Sequence, residues 1–165
     1  YYDDSLIVYS WSKSLSMPGD RIGYVAVPKC AEGHKELADA LIIAGRILGG
    51  TNGPTIQELI VERCLTSKSD IDYYKKNAHD LYEIVTGAGF KCIYPQGAFY
   101  MWIKSPVPDE FEFVKAAKEE GILITPGSGF DGPGWARAAF CGKNDMIHRS
   151  KESWYKVGRK FGLID

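Results

Sequence analysis

Ser10-Trp11-Ser12-Lys13-Ser14-Leu15-Ser16-Met17-Pro18-Gly19-Asp20-Arg21-Ile22-Gly23 follows directly on the apolar run Leu6-Ile7-Val8-Tyr9. Ser5 to Trp11 reads as a short buried strand. Ser12 to Asp20 reads as a loop, with Pro18-Gly19 as its turn. Arg21 to Val27, rich in Val, Ile and Tyr, reads as a second strand closed by Pro28. At the end of the first strand stand a lysine, hydroxyls just before it, and an arginine eight positions later. A lysine amine can form an imine with an aldehyde, while hydroxyls and a guanidinium can hold a phosphate. The stretch therefore points to a covalent site at Lys13 for a phosphorylated aldehyde.

The chain has 165 residues, enough for a domain with a real core. A formal net charge of −1 gives no reason to expect nucleic acid or an anionic membrane as partner. No apolar stretch approaches the length that spans a bilayer. Cys30, Cys64, Cys92 and Cys141 are widely spaced and form no CxxC pair, which argues against a zinc site. They read as free thiols of a reducing cytoplasm. His34, His79 and His148 form no ligand cluster, so no metal is expected. The chain starts at Tyr1, close to a strand, and is expected to be a piece of a longer protein.

Outward from the opening stretch, Ala31 to Leu48 reads as a helix, with Leu37, Leu41, Ala44 and Leu48 on one face. Pro54 opens a second helix carrying Ile56, Leu59, Ile60 and Cys64. A long third helix carries Ile71, Tyr74, Ala78, Leu81 and Val85, with Ser69 as its expected N-cap and Gly87 or Gly89 as its stop. Strands are expected at 91–94, 98–104, 122–125 and 135–140. Asp109 is expected to cap a helix ending near Glu120, and Asn144 to cap a last helix with Ile147, Trp154, Val157 and Phe161 inward. Helices and strands alternate, so the fold class is α/β with α+β character. Two domains are expected, 1–68 and 69–165, with the helix after Ser69 as the link.

The opening signature, Ser-x-Ser-Lys followed by Pro-Gly-x-Arg-x-Gly, resembles the lysine signature of class I/II aminotransferases. These are fold type I pyridoxal-phosphate enzymes of the aspartate aminotransferase group. The likeness continues in Pro95-Gln96-Gly97-Ala98-Phe99-Tyr100 and in Gly134-Trp135-Ala136-Arg137-Ala138-Ala139-Phe140. Its order and spacing hold from Leu6 to the C-terminus. It implies the C-terminal part of such an enzyme: a small domain of a mixed sheet with packed helices, plus a strand-loop-strand remnant of the large cofactor domain.

The resemblance implies roles. Lys13 would be the residue that bonds pyridoxal 5′-phosphate covalently and shuttles a proton, and Ser10 and Arg21 would bind the cofactor phosphate. Arg137 would clamp the substrate α-carboxylate in a bidentate pair. As a charge flanked by small apolar residues, Arg137 is also expected to have an anionic partner, and an internal salt bridge is the alternative to a substrate. Phe99 would line the substrate pocket or simply pack in the core. Thr51, in Thr51-Asn52-Gly53-Pro54, would approach the cofactor phosphate of a neighbouring subunit in a homodimer. The carboxylate that pairs with the cofactor's ring nitrogen in this family lies upstream of this chain.

The function implied is a cytoplasmic aminotransferase of amino acid metabolism. It would move an amino group between an amino acid and a 2-oxo acid, with 2-oxoglutarate as one partner, and the isolated chain would be inactive. Two other readings stay open. One is a carbon–sulfur lyase of the same fold, which would keep Lys13, Arg21 and Arg137. The other is an aminotransferase-like sensor domain of a transcription regulator.

Overall fold

A computed structural model describes residues 2–165, and the chain divides into two compact units, Tyr1–Ser69 and Asp70–Asp165. The first unit opens with strand β1 (Ile7–Ser10), a single helical turn α1 (Trp11–Ser14) and strand β2 (Gly23–Ala26). The strands pair antiparallel, Ile7 opposite Ala26 and Ser10 opposite Gly23. Glycine is required at 23, because a Cβ there would collide with the Tyr9 carbonyl. Tyr9, Trp11 and Tyr24 form an aromatic cluster on this hairpin, with centroids 5.3–5.6 Å apart. Helices α2 (His34–Ile47) and α3 (Thr55–Cys64) follow. Among the described residues of this unit, only Ile22, Ala31 and Val61 are buried apolar residues, and Ile42, Ile43, Ile47 and Leu59 lie exposed.

The second unit has the denser core. Its leading helix α4 (Ile71–Gly87) is capped by Asp70, whose carboxylate accepts from the Tyr73 N–H at 3.0 Å. Ala78, Leu81, Ile84 and Val85 form its buried stripe. Strands β3 (Cys92–Ile93), β4 (Tyr100–Lys104), β5 (Thr125–Pro126) and β6 (Trp135–Ala139) build one sheet in the order β3-β4-β6-β5. Every pairing in it is antiparallel, where a mixed sheet was expected. Met101 and Ile103 of β4, with Ala136 and Ala138 of β6, enter the core. There they join α4, Phe113 and Ala117 of α5 (Glu110–Glu119), and Trp154 and Val157 of α7 (Lys151–Lys160). Phe90 stacks on Phe113 at 5.2 Å and meets Trp154 edge-on at 5.7 Å.

Several boundaries differ from the sequence expectation. Ser69 is not the cap of α4; its hydroxyl turns back to the Lys13 carbonyl instead. Arg21 lies outside β2 because its φ of 51° is left-handed. Residues 122–124 form no strand, and β5 keeps only Thr125 and Pro126, at the sheet edge where a proline is tolerated. The last helix is two helices, α6 (Asn144–Arg149) and α7. Asn144 is the first residue of α6 and not its cap, because its side chain is engaged with Asn77 and Asp80.

Two polar residues hold the second unit's irregular parts. Asn77 is completely buried on α4; its amide donates to the carbonyls of Phe140 and Gly142 at 2.9 and 3.0 Å, and its oxygen accepts from Asn144 at 2.9 Å. This fastens the turn between β6 and α6. Glu110 is buried at the start of α5 and accepts from the backbone N–H groups of Ser128 (2.7 Å) and Gly134. These two bonds close the glycine-rich loop that contains a 3-10 turn at Gly127–Phe130. The hydrogen bond from Ser128, aided by the other loop donors, holds the Glu110 carboxyl below the usual glutamate range.

Asn77→Ala removes three hydrogen bonds at a buried position and takes the side-chain donor from the Phe140 carbonyl, while the Gly142 carbonyl keeps the Tyr73 hydroxyl. It should lower the unfolding free energy by about 2–4 kcal/mol in urea titration, and the larger Asn77→Leu should not recover it. For Glu110 the folded pKa is depressed, so its stabilisation is present above the ordinary carboxylate pKa and lost as pH falls through the folded value. Glu110→Gln should therefore have a lower urea midpoint than the parent at pH 7, with the gap closing below about pH 4.

Candidate active site

Lys13 sits in the single turn α1, at the point where β1 leaves its pairing with β2. Ser10 caps that turn: its Oγ accepts from the Ser12 N–H at 3.2 Å and donates to the Ser12 hydroxyl at 2.9 Å. The lysine's backbone is held from the far end of the same unit. Ser69 Oγ lies 2.8 Å from the Lys13 carbonyl, 3.0 Å from the Ser14 carbonyl and 3.0 Å from the Ser16 hydroxyl, which can donate to it in turn. Tyr9 OH donates to Ser14 Oγ at 2.8 Å, tying the turn back to β1.

Arg21 is carried to the same end of the hairpin. Ser10 is opposite Gly23, and the Trp11 N–H donates to the Ile22 carbonyl at 3.3 Å, so Arg21 is the next residue beyond that last cross-strand bond. Its left-handed backbone is uncommon for a residue with a side chain, and such conformations concentrate at functional positions. One guanidinium nitrogen donates to the Pro18 carbonyl at 2.9 Å, and no acid pairs with Arg21 among the described residues. A guanidinium has five N–H donors, so this bond leaves most of them open to an anion. The donor set at the hairpin end fits a phosphorylated aldehyde: an amine, two hydroxyls and an arginine fork, all exposed to solvent except the half-buried Ser12.

Arg137 stands at the centre of β6, opposite Trp102 of β4 and Thr125 of β5. Its neighbours Ala136 and Ala138 are buried on the core face, so the pleat sends Arg137 to the other face. The sequence expectation of an acidic partner is not met among the described residues. The guanidinium instead lies over two rings, with Cζ 4.1 Å from the Tyr100 centroid and 3.7 Å from that of Phe130. Phe130 comes from the loop that Glu110 fastens, and its ring meets Trp102 edge-on at 6.4 Å. Gly127 and Gly132 let that loop close down on the Trp102 indole, since a Cβ on either would stand 3.0 Å from the ring.

Phe99 precedes β4, half-buried against the core cluster, with its ring 4.5 Å from Tyr100 and 6.4 Å from Tyr74. Thr51 is exposed on the connection between α2 and α3 and makes no side-chain hydrogen bond among the described residues. No group of acidic, histidine or cysteine side chains suited to a metal occurs among the described residues. His148 instead lies 3.0 Å from Asp80, which also receives Lys76 and Asn144. All four cysteines are free, and burial pushes the Cys92 thiol up to about 11. Among the described residues no helix is long and apolar enough to cross a membrane. The structure adds Ser69 to the residues around Lys13, and Tyr100, Glu110 and Phe130 to those that shape the surroundings of Arg137. Tyr100 stood inside a motif already singled out, whereas Phe130, Ser69 and Glu110 left no local signal for their long-range contacts.

Residues 1–150 match the family described as aminotransferase class I and II. The probable N-acetyl-LL-diaminopimelate aminotransferase of Bacillus subtilis is 28% identical over 88% of this chain and 38% of its own length. An aspartate aminotransferase of the same organism is 30% identical over 91% of this chain and 40% of its own length. The chain thus spans about two-fifths of the length of the curated relatives it matches. A crystal structure of an amino transferase from Eubacterium rectale, 42% identical, superposes with a TM-score of 0.83, covering 98% of this chain and 41% of that one. A variant of Thermus thermophilus aspartate aminotransferase, 27% identical, gives 0.76 over 92% of this chain and 43% of that one. With a sequence match over most of its length and the same fold in these relatives, the chain belongs to the class I and II aminotransferase family.

Proposed function

We propose that this chain is the C-terminal portion of a cytoplasmic, homodimeric aminotransferase that exchanges an amino group between an amino acid and a 2-oxo acid, 2-oxoglutarate being one partner. The observation that carries the reading is the placement of Ser10, Lys13 and Arg21 at one end of the β1–β2 hairpin. Family membership and the transaminating relatives support it. The exposed apolar side chains of α2 and α3 support the view that the first unit belongs to a larger cofactor domain.

The cofactor assigned is pyridoxal 5′-phosphate. Lys13 would hold it through Nζ, and Ser10 and Arg21 through its phosphate. When bound, it supplies an aldehyde carbon that attaches to amines and a conjugated ring that takes up an electron pair. Lys13 Nζ would also carry the proton taken from the substrate Cα. Ser69 keeps the Lys13 backbone fixed while that side chain moves. Arg137 receives the substrate α-carboxylate on its N–H fork, and Phe99 lines the same substrate's path. Thr51 is assigned to the cofactor phosphate of the partner subunit.

Reduction of the cofactor-loaded protein that carries this chain with borohydride, followed by peptide mapping, should label Lys13. A label on another lysine would overturn the assignment. Arg21→Gln should weaken cofactor binding roughly 10- to 100-fold in absorbance titrations, the worth of a charged hydrogen-bond pair. The isolated 165-residue chain, given cofactor and amino acid, should show no transamination.

A further inference from the structure

The Arg137 guanidinium is half-buried, yet it makes neither an ion pair nor a side-chain hydrogen bond among the described residues. Two rings take that place, Tyr100 at 4.1 Å and Phe130 at 3.7 Å. A carboxylate partner would stabilise the charge by occupying its N–H donors. A ring face stabilises the charge through its quadrupole and leaves the donors open. We propose that Tyr100 and Phe130 are positioning residues that keep Arg137 oriented and without a resident acid, so that its fork is available to the substrate carboxylate. This inference rests on the reading of Arg137 as the carboxylate fork.

Both rings are mounted on fixed elements. Tyr100 pairs with Ala139 while Arg137 pairs with Trp102, so Tyr100 and Arg137 are diagonal neighbours on one face of the β4–β6 pair. Phe130 closes the 3-10 turn of the loop whose Ser128 and Gly134 amides are bound by Glu110. The following residue, Asp131, adopts a left-handed φ of 56° that ends the turn at that ring. The arrangement suits a fork that must accept a flat anion reversibly. A resident acid would compete with each incoming carboxylate for the same donors.

The test uses the cofactor-loaded protein that carries this chain, with an amino acid, its 2-oxo acid and the matching amine that lacks the carboxylate. Phe130→Leu and Tyr100→Leu should each raise KM for both acids roughly 3- to 30-fold, with kcat changed less than about threefold and the amine unaffected. Phe130→Tyr should recover the KM of the parent to within about twofold, because it restores a ring. Arg137→Gln serves as reference and should raise KM for the acids more than either ring variant. If Arg137→Gln penalises the acids and neither leucine variant does, the positioning role is wrong while the carboxylate fork stands. If Arg137→Gln leaves the acids unpenalised, both readings fall. A loss shared equally by acids and amine would mark ordinary packing and also overturn the proposal. Phe130 is 43% exposed, so leucine there opens no core cavity.

Discussion

The pleat of the β4–β6 pair governs where the second unit's chemistry can lie. Side chains alternate along a strand, so burying Met101, Ile103, Ala136 and Ala138 against the helices commits Tyr100, Trp102, Trp135 and Arg137 to the opposite face. The register of this pair sets which of those residues are neighbours. A slip by one residue would drive a guanidinium into a closed apolar core, at a large desolvation penalty. The small alanines flanking Arg137 let helices pack closely on one face while the long cation stays on the other. Core packing and the exposure of the arginine are one constraint seen from two sides.

That face is completed by a loop rather than by another strand, and the loop depends on a buried acid. Glu110 belongs to the first turn of α5, where a carboxylate is favoured, yet its oxygens reach the amides of Ser128 and Gly134. A glycine-rich segment has much backbone freedom to lose. Two charge-assisted bonds from a helix-mounted carboxylate fix its ends, and contact with Trp102 fixes its middle. The order of Phe130 beside Arg137 therefore traces back to a residue of α5.

The sequence was legible where a function needs neighbours in the chain. Lys13, its hydroxyls and Arg21 lie within a dozen positions, so their grouping survived without any knowledge of tertiary structure. The helices of the second unit were equally readable, because Ala78, Leu81 and Val85 repeat at helical spacing. What escaped was decided by partners far away. Ser69 looks like a cap, since serine commonly starts helices, but the carbonyls of Lys13 and Ser14 engage its hydroxyl and Asp70 takes the cap. Asn144 was likewise drawn from capping into a bond with Asn77. Arg137 was recognisable as a cation in apolar company, but an acid and a ring are equivalent to a sequence pattern, and only the fold brings Phe130 to it.

The two candidate groups of residues are held by different physics. Arg137 rides on a strand whose other face is sealed in a core of closely packed aromatic and aliphatic side chains, so its position is as rigid as that core. Lys13 stands in a unit with three buried apolar side chains among its described residues, where hydrophobic burial contributes little to local order. Its turn is fixed by directional bonds instead: the Ser10 cap, the Tyr9–Ser14 bond, and Ser69 against the carbonyls of Lys13 and Ser14. Such bonds fix a backbone without crowding the side chain on it. Arg137 thus has an unyielding mount supplied by packing, whereas the backbone at Lys13 is held by directional bonds from its own hairpin and from Ser69.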